Sequence, residues 1–77
     1  MTIKGRRQID QINSKLQDIY DILQEILDDE QCKYDNMPES IQNSDRGYEF
    51  EEIIEHIETA VESIGGAIDE LGEIVEG

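Results

Sequence analysis

The sequence predicts an all-α protein: two long antiparallel helices joined by a structured turn, a helical hairpin that assembles into a four-helix-bundle-like dimer or a higher oligomer. Three observations carry this expectation. Apolar residues recur at steps of three and four on both sides of a central segment, the spacing that lines them up on one side of a helix. That segment, Tyr34 to Phe50 (YDNMPESIQNSDRGYEF), holds the only proline, Pro38. The composition is 36% hydrophobic without a tryptophan in 77 residues, so one hairpin has little core of its own and self-association is the default.

The first helix is expected over about residues 8–32, within the usual uncertainty of helix ends. Ile9, Ile12, Leu16, Ile19, Leu23 and Ile26 alternate steps of three and four, the seam of a left-handed helix pair. Tyr20, Ile22 and Leu27 flank that seam and widen it. Residues 1–8 are polar and basic, and Gly5 discourages an early start, so they either fray or extend the helix by a turn. Asp28, Asp29 and Glu30 place negative charge where the macrodipole disfavours it. Lys33 offsets this slightly, and the helix should end between Glu30 and Tyr34.

A turn with a short helix is expected over about residues 33–47. Pro38 suits a first helical position, where its missing N–H is harmless, and it pushes Met37 toward extended backbone. The run PESIQ forms one helical turn. Asn43 or Ser44 then caps the next helix, with Asp45 favourable in its first turn. Gly47 is the weak link and delays the helix to Tyr48.

The second long helix is expected over about residues 48–76, the whole chain forming one domain. Phe50, Ile53, Ile57, Ala60, Ile64, Ala67, Leu71 and Ile74 repeat at three-four steps, and Ile54, Val61, Ile68 and Val75 form a second row. Together they make a face wider than one partner helix covers. The oligomer core is therefore assigned to Phe50, Ile54, Ile57, Val61, Ile64, Ile68, Leu71 and Val75. Gly65, Gly66 and Gly72 lie just outside the rows. Each costs about 1 kcal/mol relative to alanine, which points to close approach of another helix.

Charge narrows the function classes. The net charge is −14, and the stretch from Glu49 to Gly77 has ten acids, no Lys or Arg and one histidine. Direct nucleic-acid binding is disfavoured, because phosphates need a cationic surface. A partner protein with a basic surface fits, as does a merely solvated helix face. Cys32 is alone, so neither a disulfide nor a cysteine metal pair can form within the chain. No stretch is apolar enough for a membrane span or a signal peptide, and a soluble protein is expected.

Catalytic constellations are weak. Glu52-x-x-Glu55 and Glu70-x-x-Glu73 resemble the Mg²⁺-binding pairs of all-α nucleoside triphosphate pyrophosphatases. Both fall on one helix, however, with centres about 27 Å apart. A di-iron Glu-x-x-His ending at His56 would need Glu where Ile53 stands. His56 reads instead as a surface residue among carboxylates. No phosphate-cradling glycine loop or nucleophile elbow occurs. We expect no catalytic residue, no metal and no cofactor.

The turn is chemically richer. Tyr34, Asn36, Met37, Arg46 and Tyr48 either grip a partner or a small anionic ligand, or tie the loop down, with Arg46 answering Asp35 or Glu39 and Tyr34 and Met37 plugging the bundle end. With the acids Glu51, Glu55, Glu58 and Glu62 of the second helix, they are the candidate partner-binding residues.

The stretch from Tyr34 to Leu71 resembles a group of small acidic proteins of phages and prophages of Gram-positive bacteria. Their recurrent core reads Asp-Asn-Met-Pro-Glu-Asn-Leu-Gln, then Ser-x-Arg, then a Glu-rich helix. Asp35, Asn36, Met37, Pro38, Glu39, Gln42, Ser44 and Arg46 match in place, whereas Ser40 and Ile41 depart from the usual Asn and Leu. The first helix matches only in general pattern. The resemblance implies a phage or mobile-element origin, the cytoplasm of a bacterial host, and an anti-defence or anti-CRISPR-type role. The expected function is a non-enzymatic inhibitor that blocks a host defence or nucleic-acid-handling protein through its acidic helical surface. Two alternatives stay open: an oligomeric sponge for a small anionic nucleotide, held between subunits by Arg46 and Tyr48 or by Arg6 and Arg7, and a passive structural or assembly component of a virion.

Overall fold

The computed structural model describes residues 1–76 as three helices, α1 (Ile3–Asp35), α2 (Glu39–Gln42) and α3 (Asp45–Glu76). α1 and α3 pack against each other along a rod with principal extents of 57 × 15 × 13 Å. The pairing is antiparallel: Tyr34 stacks on Phe50 at the turn, Tyr20 meets Gly65 further along, and Asn13 lies beside Gly72.

α1 starts earlier and ends later than its composition suggests. The Thr2 hydroxyl accepts a hydrogen bond from the Gly5 amide at 3.0 Å, an N-cap that outweighs the helix-weakening effect of Gly5. At the other end the helix runs past the acidic triplet to Asp35, where Asn36 donates its amide to the Cys32 carbonyl. Contacts of Tyr34 account for the extension. Its ring packs on Phe50, centroids 6.4 Å apart, and its carbonyl accepts from Gln42 Nε2 at 2.8 Å.

The turn is compact because α2 sits on the start of α3. Pro38 stands just before α2, and its carbonyl accepts from the amides of Ile41 and Gln42. The Ser44 carbonyl accepts the first α3 bond, from Tyr48, while its hydroxyl donates back to the Ile41 carbonyl. Ser44 thus occupies the cap position with its side chain turned toward α2. Gly47 is no break. It is buried inside the first turns of α3, where a Cβ would collide with the Ile41 and Gln42 carbonyls. The helix therefore begins at Asp45, and the glycine is what lets α2 approach.

The seam between the long helices is rotated by one row from the expected one. Ile9, Leu16 and Leu23 face α3, but they alternate with Asn13, Tyr20 and Leu27, all at least half-buried. Ile12, Ile19 and Ile26 point outward, 50%, 46% and 42% exposed. On α3 the inner rows are Phe50, Ile57, Ile64 and Leu71 with Ile54, Val61, Ile68 and Val75. These eight residues, assigned to an oligomer core, lie in the contact between α1 and α3 of one chain. Ile53, Ala60, Ala67 and Ile74 are left exposed.

Gly65 favours the rotated seam, and Gly72 is compatible with it. A Cβ at 65 would stand 3.3 Å from the Tyr20 ring, and one at 72 would stand 4.0 Å from Asn13 Nδ2. The first distance is tight, so Gly65 leaves room for the inward Tyr20 ring, whereas the second is ordinary van der Waals contact. Gly66 has open space around its Cβ position and has no such role. Among the described residues, Ile54 and Val61 are the only buried apolar side chains, 4% and 6% exposed, so this seam is a thin core.

Candidate partner-binding face

In an antiparallel pair, residues that follow the seam positions share one side of the rod. On α1 that side carries Gln17, Asp21, Gln24, Asp28, Gln31 and Asp35, again at steps of four and three. On α3 it carries Glu51, Glu55, Glu58 and Glu62, then Gly65, Asp69 and Gly72. A shallow groove between the helices confirms that the two rows meet: it is lined by Gln17, Tyr20 and Asp21 from α1 and Gly65, Ile68 and Asp69 from α3. The groove continues past Asn13 and Gly72 toward Glu73 and Glu76.

This side combines carboxylates with amide acceptors. Asn13 is buried and Gln24 half-buried, and Asn13 Oδ1 and Gln24 Oε1 make no hydrogen bond within the chain. Between Gln17 and Asp35 of α1 and between Glu51 and Gly72 of α3, none of the six Lys and Arg side chains falls among these rows; Arg7, two heptads before Asp21, continues the α1 row only at the far end of the rod. Lys4, Arg6 and Arg7 are on the first turns of α1, Arg46 is at the turn, and Lys15 and Lys33 align with Ile22 and Ile26 on the opposite side. The surface is rich in acceptors and suits a partner that brings guanidinium or ammonium donors.

The four acids expected to bind, Glu51, Glu55, Glu58 and Glu62, are all exposed and form one stripe along α3. The turn residues divide. Asn36, Arg46 and Tyr48 are exposed, whereas Tyr34 and Met37 are half-buried, Tyr34 being part of the ring stack that closes the hairpin. Burial raises the Tyr34 phenol pKa above its ordinary 10.0, helped by the neighbouring charges of Glu51 and Asp35 and by Tyr48. Arg46 makes no ion pair among the described residues, where the one salt bridge joins Lys33 to Glu30 at 3.0 Å. Arg6 and Arg7 lie at the end of the rod away from Arg46, so no single chain gathers these cations into one site.

The sequence reading missed the α1 half of this face. Gln17, Asp21, Gln24 and Asp28 carry a visible signal, a polar row at helical spacing beside an apolar one, which attention to the apolar residues alone passes over. The carboxylate pairs Glu52/Glu55 and Glu70/Glu73 stay apart along α3. Among the described residues, no group of three His, Cys, Asp or Glu side chains is arranged to hold a metal ion. No described helix is long and apolar enough to cross a membrane.

These features define an acidic helical hairpin with chemically distinct sides. No family model, curated protein or solved structure matches the chain.

Proposed function

We propose that the protein is a non-enzymatic, phage-type inhibitor that occupies the basic surface of a host defence or nucleic-acid-handling protein with its groove side. One observation carries the reading: from Gln17 to Asp35 of α1 and from Glu51 to Gly72 of α3, the side built from the Gln/Asp row and the Glu stripe contains none of the chain's cations, Arg7 lying beyond that length. A nuclease or helicase surface that holds phosphates is cationic, and an acidic rod competes for it. Tyr48, exposed at the turn end of the stripe in line with Glu55, adds contacts that favour one partner among many basic ones, and Arg46 is exposed at the same end of the rod but in line with Ile53. The chain acts in the bacterial cytoplasm, contacts no nucleic acid directly, and self-associates as a dimer or larger bundle.

The test is functional and electrostatic. In bacteria carrying a nuclease-based defence, expression of the chain should raise phage plating. A variant with Glu55→Lys, Glu58→Lys and Glu62→Lys should lose that effect while keeping its helical circular-dichroism spectrum. Complexes captured from those cells should weaken steeply with added salt, because opposed charges are screened. Equal protection by the parent and the charge-reversed variant, or capture indifferent to salt, would remove the acidic face from the mechanism.

A further inference from the structure

The side of the rod opposite the groove is apolar, and its relief is uneven. Along α1, Ile12, Ile19, Ile22 and Ile26 stand 42–56% exposed and form a ridge, the last three about one helical turn apart and Ile12 two turns before Ile19. Beside them on α3, the small side chains of Ala60 and Ala67 lie exposed at the levels of Ile26 and Ile19, leaving a trough. We propose that this face is the seat of a second copy of the chain, the isoleucine ridge of each copy lying in the alanine trough of the other. The proposal rests on the self-association put forward above and specifies which face is used and how.

Three observations select a second copy over an unrelated partner. The first is shape. A ridge and a trough side by side on one face are self-complementary under a two-fold axis along the rod, the requirement for an isologous dimer. That axis sets α1 of one copy over α3 of the other, so every neighbouring pair of helices in the resulting four-helix bundle is antiparallel. The second is area. A face 57 Å long and 15 Å wide presents about 850 Å² in projection, close to the roughly 800 Å² per partner of a stable interface. The third is charge. Lys15, Lys33 and His56 share this side with Asp29, Glu49 and Glu70, a mixture that two copies can bring together without confronting acid with acid. The strongly acidic groove side would repel a like copy and remains outward in this arrangement.

Sedimentation across micromolar concentrations tests the proposal. The parent chain should dimerise, and more tightly as salt is raised, since screening relieves the repulsion between two chains of net charge −14. Ile19→Glu with Ile53→Glu should weaken the dimer about tenfold or more while leaving a helical monomer, both positions being about half exposed in the single chain. Ala67→Leu should also weaken it, although it adds apolar surface, because it fills the trough. Asp18→Asn, on the outer side of α1, should leave it unchanged. A spin label on Cys32, exposed and the only cysteine, reads the orientation. Rods pointing the same way keep the two labels at one level, whereas opposed rods part them by about 40 Å along the axis. A parent chain that sediments as a folded monomer ends the self-association reading. A dimer indifferent to Ile19→Glu with Ile53→Glu leaves self-association standing and overturns this face. Tighter association of Ala67→Leu, or widely parted labels, overturns the ridge-in-trough fit.

Discussion

The ring of Tyr20 lies against the backbone of Gly65, so that a Cβ there would sit 3.3 Å from Cε2, whereas Gly66, one residue on, has nothing within 4 Å of its Cβ position. The two glycines therefore separate helix propensity from packing. Gly66→Ala should stabilise the hairpin by about 1 kcal/mol. Gly65→Ala should gain clearly less, because the Tyr20 ring must shift. Urea unfolding of both variants gives the order, and an equal gain at the two positions would show that Tyr20 does not depend on Gly65.

Gly47 gives a stronger contrast, since its neighbours are carbonyls of the main chain, which cannot swing away as a side chain does. Gly47→Ala should destabilise by about 1–3 kcal/mol, the range for forced overpacking, despite the better helix propensity of alanine. The loss should be visible as faster amide exchange in α2 as well as a lower melting temperature.

Asn13 is a polar residue in an otherwise apolar seam, 8% exposed and with Oδ1 unpaired. Asn13→Leu removes an unsatisfied acceptor and should raise stability by about 1–2 kcal/mol in thermal or urea unfolding. A polar residue at such a position is one way of fixing the register of a helix pair. Loss of chemical-shift uniformity in the leucine variant would register that role.

The Tyr34 phenol, its pKa raised chiefly by burial, ties stability to alkaline pH. Above the unfolded value of about 10, the unfolded chain releases this proton more readily than the folded one. Stability from this group is therefore complete below pH 10 and falls as pH rises past it. Tyr34→Phe keeps the stack on Phe50 and should remove that part of the alkaline decline. A parent and variant with parallel stability profiles above pH 10 would contradict the assignment.

The last turn of α3 has no basic residue, where a positive charge would complement the macrodipole. Glu76→Lys should stabilise by about 0.3–1 kcal/mol at low salt, with the gain shrinking as salt is added. Melting temperatures at two ionic strengths check both statements.

Much of the fold was legible because spacing is a local property. The three-four rows mark both long helices, and Pro38 with the run ESIQ marks α2. What the spacing could not decide was which of two adjacent apolar rows faces inward. Ile12, Ile19 and Ile26 are better hydrophobes than Asn13 and Tyr20, yet they face out, and the space that admits the Tyr20 ring is left by Gly65, more than forty residues away in sequence. The extension of α1 through its acidic end also depends on residues outside the helix, Phe50 and Gln42. The candidate face was half legible for a related reason. The Glu stripe of α3 is dense enough to notice, while the matching Gln/Asp row of α1 acquires meaning only when pairing places it alongside.

The Tyr34–Phe50 stack and the seating of α2 on Gly47 join residues that are near in sequence, while each pair further down the rod joins residues progressively more remote. Closing a longer loop costs only slightly more once the shorter one is shut. Folding should thus nucleate at the bend and zip toward the free ends, and native-state opening should run in reverse. Hydrogen exchange would then be slowest around Tyr34 and Phe50 and quicken step by step toward Ile9 and Val75, a gradient of protection along the rod.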